Sequence, residues 1–168
     1  CAFLEAMSGF TTTGATTIDD LDSVEHGLMF WRHLMQWLGG LGIVVISLAL
    51  IPLIGTGATQ VFGAETNGLQ VDKLRPKIQE TARRLWTIYL GLSAVCCVLY
   101  WLGDMSWFDA VCHTFSTLAS GGFSTHGSSI GYFQSAYIEY VCIVFLFITS
   151  INYNLFYFLG KGYFRLTW

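Results

Sequence analysis

Two short polar stretches, 108 positions apart, constrain this chain more than any other feature. The first is Ser8-Gly9-Phe10-Thr11-Thr12-Thr13-Gly14-Ala15-Thr16-Thr17, which follows the apolar segment Cys1 to Met7. The second is Ser116-Thr117-Leu118-Ala119-Ser120-Gly121-Gly122-Phe123-Ser124-Thr125. With Gly14 laid on Gly122, Ser8 meets Ser116, Thr12 meets Ser120, Thr16 meets Ser124 and Thr17 meets Thr125. Each copy reads as an apolar segment, a small-residue turn, a polar loop and a long apolar segment. Such self-similarity marks one structural unit used twice. The composition around them is that of a membrane protein: 54% hydrophobic, 16% aromatic and 11% charged. At membrane depth, irregular backbone is tolerated only where it is buried in protein or lines a water-filled path. The fold class expected is therefore all-α and membrane-embedded, built from helix–pore loop–helix repeats with re-entrant half-helices. The net charge of −3 argues against a nucleic-acid partner.

Cys1 to Met7 is too short to cross a bilayer, which takes roughly 20 apolar residues. It reads as the end of a pore helix. Glu5 within it must face protein or water. Asp19, Asp20, Asp22 and Glu25 then form an acidic loop, either merely solvated or a cation-attracting mouth. The first full span is expected over 30–54. Arg32 and His33 stand at its outer end, and Trp31 and Trp37 are read as interface aromatics. Gly39, Gly40 and Gly42 form a small-residue surface, for helix packing in general or for packing behind the first turn. Residues 55–84 make a loop with a basic second half: Lys73, Arg75, Lys77, Arg83 and Arg84. Pro76 opens a helix that runs into the second span, 85–102, where Leu85, Trp86 and Tyr89 mark one interface and Tyr100 and Trp101 the other. Ser106-Trp107-Phe108-Asp109 is an N-cap sequence. The helix it opens, Trp107 to Leu118, would be about 18 Å long, half a bilayer. The third span is 136–159, with Asn152 and Asn154 facing the bundle. The organisation expected is 1–54, end of a first repeat; 55–84, cytoplasmic linker; and 85–168, a second repeat. The five cysteines are read as small buried hydrophobes. The chain opens mid-pattern without an initiator methionine and reads as a fragment.

Backbone carbonyls in rows can replace an ion's hydration shell. Those of Thr12, Thr13, Gly14 and Ala15 supply one wall, and those of Ser120, Gly121, Gly122 and Phe123 another. The hydroxyls of Thr12 and Ser120 add oxygens at the inner end. Both half-helices aim their negative C-terminal ends at the site, the sign that favours a cation. At these residues, together with Trp37-Leu38-Gly39-Gly40-Leu41-Gly42, the chain resembles the Trk/Ktr/HKT superfamily of potassium transporters, nearest to its bacterial TrkH branch. The resemblance implies four such repeats around one pseudo-fourfold pore, of which this chain matches the end of the first and the whole second. It implies potassium as the cargo and no cofactor. It also implies a multi-pass protein of the bacterial cytoplasmic membrane, a homodimer, and a cytoplasmic nucleotide-binding ring of the TrkA type as partner. Gly14 and Gly122 correspond to the family's filter glycines. Two walls do not close a pore, so the isolated chain is not expected to conduct.

Two other classes fit the sequence less well. A membrane haem protein needs paired histidines on facing helices, and His26, His33, His113 and His126 do not read that way: only His113 falls within an apolar segment. A non-conducting assembly subunit would have no need for a duplicated hydroxyl–glycine turn. No enzyme is expected, because no nucleophile–base pair or phosphate loop is visible.

Of eight Lys and Arg residues, only Arg32 lies outside the 55–84 loop and the C-terminal end. The positive-inside rule therefore puts that loop and the C-terminus in the cytoplasm. Cysteines placed at Asp20 and Ser129, in a background without native cysteines, should be labelled by an impermeant thiol reagent in intact cells. Those at Lys73 and Arg75 should be protected, and the reverse pattern would invert the topology.

Overall fold

A computed structural model describes residues 2–42 and 74–150. Residues 55–73 of the 55–84 loop, residues 43–54 of the first span, and the third span beyond Ser150 with its two asparagines lie outside the described residues. Among the described residues the chain is helical and contains no strand. In order, α1 covers Ala2–Phe10 and α2 residues 26–42, α3 Leu74–Leu102, α4 Trp107–Leu118, and α5 Ala136–Ser150. A 3-10 turn, Ser129–Phe133, precedes α5.

The helices between Leu74 and Ser150 form as their local sequence dictates. Residues 74–102 are one helix, with Pro76 in its first turn, where a missing N–H costs nothing. Its stretch Leu85–Leu102 has a mean hydropathy of 1.8 and is long enough to cross a bilayer. Ser106 caps α4: its Oγ accepts from the Asp109 N–H at 3.1 Å and donates to the Asp109 carboxylate at 2.7 Å. α4 packs on α3 and α5. That core is tied by a hydrogen bond of 2.8 Å between the Tyr100 and Thr117 hydroxyls. Val95, Val98 and Trp101 of α3 and Ile143, Val144 and Phe147 of α5 are exposed, as lipid-facing residues are.

Several aromatic residues read as membrane-interface markers are packing residues instead. Tyr89 and Tyr100 are fully buried, and Leu85 is in the core. The Trp37 ring stacks on Tyr89 at 5.3 Å and lies against Phe115, while its Nε1–H reaches Ser93 Oγ at 3.0 Å. Amphipathic rings suit a headgroup layer and a buried hydrogen bond equally well, so the sequence does not separate the two. Trp31 and Trp101 remain exposed. Cys96, Cys112 and Cys142 are free and buried, and Cys97 is free and half-buried.

Gly39 and Gly40 of α2 pack behind the polar turns, whereas a Cβ on Gly42 would meet nothing within 4 Å. A Cβ on Gly39 would collide with the Phe10 carbonyl at the end of α1. One on Gly40 would come to 2.8 Å from the Cα of Ala119, at the end of α4. Adjacent positions on one helix thus seat the ends of both half-helices. Gly39→Ala and Gly40→Ala should each destabilise a full-length transporter by about 1–3 kcal/mol, as overpacking does. Gly91→Ala, where a Cβ meets nothing within 4 Å, should not. Thermal unfolding in detergent checks this, and equal stability of all three variants would remove the seating role.

Candidate ion-binding site

The two half-helices end in the same way. After α4, the Ser120 N–H bonds to Thr117 O at 3.0 Å and the Gly121 N–H to Ser116 O at 2.9 Å. After α1, the Thr12 N–H bonds to Gly9 O and the Thr13 N–H to Ser8 O, both at 3.0 Å. Each pair is a Schellman motif, with its left-handed residue at Ser120 (φ 51°) or Thr12 (φ 54°). A glycine with positive φ follows two residues later in both, Gly14 at 76° and Gly122 at 82°. The sequence repeat is therefore a repeat of backbone geometry. α1 runs on to Phe10, three residues past the Met7 boundary read from its apolar stretch; Phe10 is the counterpart of Leu118.

The loops meet. A Cβ on Gly14 would collide with the Gly121 carbonyl, so only glycine allows this approach. Thr13, Ala15, Ser120 and Gly122 are exposed on the open side, and Thr12 and Gly14 are half-buried. Gly121 and Phe123 are buried behind. The Thr13 hydroxyl pairs with that of Thr11 at 2.8 Å, and the Ser120 hydroxyl with that of Thr149 on α5 at 3.2 Å.

Behind the loops lies a layer of polar side chains. Glu5 faces protein, as its place in an apolar segment required. Its Oε1 accepts from Thr16 Oγ1 at 2.9 Å and from the Thr17 N–H at 2.6 Å, and its Oε2 from Arg32 Nε at 3.0 Å. Arg32 also donates to Thr16 Oγ1 at 3.1 Å and sits 4.3 Å from the centre of the Phe123 ring. Neither Arg32 nor His33 is a residue of the outer interface: Arg32 is 2% exposed and His33 0%. Their charge and polarity are turned inward to the loops, which hydropathy does not register. His33 Nδ1–H donates to Met29 O at 2.8 Å. Its ring lies 6.4 Å from that of His113, but no metal-holding cluster occurs among the described residues. Gln36, which the sequence pattern did not single out, is fully buried and accepts from the Phe123 N–H at 3.3 Å. The signal available was the spacing of Arg32 and Gln36, four residues apart on one face of an apolar helix.

The second repeat braces its loop differently. His113, the counterpart of Glu5, donates from Nδ1 to Asp109 O at 2.9 Å, which leaves Nε2 to accept from Ser124 Oγ at 3.1 Å. Thr125 Oγ1 donates to Asp109 Oδ1 at 2.7 Å. Burial raises the Asp109 pKa, but hydrogen bonds from Ser106 and Thr125, with His126 nearby, hold the carboxyl below its ordinary value. At the exposed end of the loops Asp22 of the acidic loop pairs with His126 Nδ1 at 2.5 Å, joining the two loop regions.

Residues 1–161 match the TrkH family, described as cation transport protein. The chain belongs to that family. It is 48% identical over 162 residues to the Trk system potassium uptake protein TrkH of Salmonella typhimurium, covering 96% of this chain and 34% of that protein. It is 42% identical to the Trk system potassium uptake protein TrkG of Escherichia coli, over 93% of this chain and 32% of that one. The crystal structure of the potassium transporter TrkH from Vibrio parahaemolyticus superposes with a TM-score of 0.77 at 42% identity, covering 96% of this chain and 31% of that one. The chain thus spans about a third of these TrkH-family proteins. It is a membrane protein of the helix–pore loop–helix class.

Removing one member of a buried ion pair costs about 3–5 kcal/mol. Arg32→Gln in a full-length transporter should therefore be strongly destabilising. Glu5→Gln combined with Arg32→Gln should recover part of the loss, because no charge is then left unpaired. Melting curves of the two single variants and the double variant test this, and strictly additive losses would show that the pair does not act as a unit.

Proposed function

We propose that this chain supplies two walls of a potassium-selective pore. One wall is the backbone of Thr12, Thr13, Gly14 and Ala15, and the other that of Ser120, Gly121, Gly122 and Phe123. The observation that carries the reading is the duplicated loop geometry: matching helix ends, matched positive-φ residues, and a close Gly14–Gly121 approach between the two loops. A potassium ion must shed water to enter a narrow pore, and carbonyl oxygens held at fixed spacing replace that water. The Schellman bonds use the carbonyls of Ser8, Gly9, Ser116 and Thr117, so the oxygens offered to the ion belong to the loops that follow. The relatives' own names, potassium uptake proteins, support the cargo.

Conduction belongs to the complete transporter, in the bacterial cytoplasmic membrane, with residues 1–54 and 85–168 as successive repeats and 55–84 as a cytoplasmic linker. The basic half of that linker, Lys73 to Arg84, is the surface offered to anionic lipid and to a TrkA-type nucleotide-binding ring, and the assembly is a homodimer.

Gly14→Ser and Gly122→Ser should lower the preference for potassium over sodium while expression is maintained. The first has the larger effect, because its side chain strikes the opposite loop, whereas Gly122 opens onto free space. Left-handed backbone adds a cost of roughly 1–2 kcal/mol at either site. The readout is the potassium-to-sodium uptake ratio of a full-length transporter in a strain deficient in potassium uptake. Wild-type ratios in both variants would overturn the filter assignment and favour a non-conducting assembly subunit.

A further inference from the structure

We propose that Gln36 is a positioning residue for the second filter wall, holding the Gly122–Phe123 peptide so that the Gly122 carbonyl faces the pore. The inference rests on the filter assignment above and adds a residue from outside the filter, on the inner helix of the preceding repeat.

The argument starts from peptide geometry. In a planar trans peptide the N–H and the C=O point in opposite directions. The Phe123 N–H is directed at Gln36 Oε1, on the α2 side of the loop, at 3.3 Å. The Gly122 carbonyl of the same peptide must then point away from α2, toward the open side where Gly122 is exposed. Glycine by itself does not enforce that orientation, since it accepts many backbone conformations, and a Cβ on Gly122 would meet nothing within 4 Å. Something outside the loop has to stop the peptide from turning over. Gln36 is placed to do it: it is fully buried, and its amide lies so close to Gly121 that a Cβ there would collide with it.

That contact explains a glycine that backbone conformation does not. Positive φ occurs at Gly122 and Gly14 but is absent at Gly121. Gly121 is small because the Gln36 amide occupies the space where its side chain would be. Its counterpart in the first loop is Thr13, which is exposed. The amide orientation is set by chemistry, because the Phe123 N–H needs an acceptor. The Gln36 Nε2 is left without a hydrogen-bond partner, so only the acceptor half of the side chain is used. Around it, Arg32 lies over the Phe123 ring and His33 meets the ring edge-on at 6.1 Å. One face of α2 thus fixes both the ring and the amide of Phe123.

The test uses a full-length transporter. Gln36→Met keeps length and helix propensity but removes the acceptor. It should lower the potassium-to-sodium uptake ratio by about tenfold, the factor that corresponds to about 1.4 kcal/mol, with membrane abundance unchanged. Gln36→Glu, with a carboxylate acceptor one turn from Arg32, should keep most of the ratio. Gly121→Ala approaches from the other side, displaces the amide, and should lower the ratio as Gln36→Met does. A wild-type ratio in Gln36→Met, or the same loss in Gln36→Glu as in Gln36→Met, overturns the proposal. So does failure of both Gln36→Met and Gly121→Ala to accumulate, which would make Gln36 a residue needed for folding. Gly122→Ser, measured in parallel, separates the two levels. If it shifts the ratio and Gln36→Met does not, the brace falls and the filter stands; if neither shifts it, the filter assignment falls as well.

Discussion

The Glu5–Arg32 pair stands at the junction of the first loop, α2 and the second loop. A carboxylate and a guanidinium removed from water are expensive unless each is fully engaged. Here one Glu5 oxygen takes the backbone and hydroxyls of Thr16 and Thr17, and the other takes Arg32. Arg32 in turn rests on Phe123 of the second loop. The first loop, the inner helix and the second loop are thereby joined by one network. Because its members are charged and buried, the penalty for separating them is large and the network has a single good arrangement.

The two repeats share a backbone and differ in how they secure it. At the position where α1 has an acid, α4 has His113, and each holds the hydroxyl of the residue eleven places on, Thr16 or Ser124. An anion serves in the first repeat because Arg32 is available to balance it. In the second, a neutral imidazole, with Nδ1–H committed to Asp109 O, accepts the serine hydroxyl and needs no counter-charge. Pseudosymmetry thus constrains where a brace is needed but leaves its chemistry open.

Much of this is legible in the amino-acid sequence. Ser106 and Asp109 marked the start of α4, and the small residues after Leu118 its end, because caps and turns are local chemistry. The 108-residue offset placed both polar turns, and applied strictly it would also have moved the end of α1 from Met7 to Phe10. What hydropathy did not reveal was direction. Arg32, His33, Tyr89 and Tyr100 are polar or amphipathic residues near the ends of apolar stretches, the usual signature of a headgroup boundary. Each is instead turned into protein, and for Arg32 and Tyr100 the partner is distant in sequence: Glu5 for Arg32, Thr117 for Tyr100. Gln36 escaped for the same reason, since its partner Phe123 lies in the other repeat.

The seats at Gly39 and Gly40 have a mechanical consequence. Backbone-to-backbone contact leaves no compliant side chain between α2 and the ends of α1 and α4. Such contacts transmit displacement almost without slack, because close-packed interiors are hardly compressible. A tilt of α2 would carry both half-helices in the same sense and leave the gap between their loops nearly unchanged. Forces arriving along this helix would therefore be felt as rigid translation of the paired loops, and the spacing between the two loops would be insulated from them.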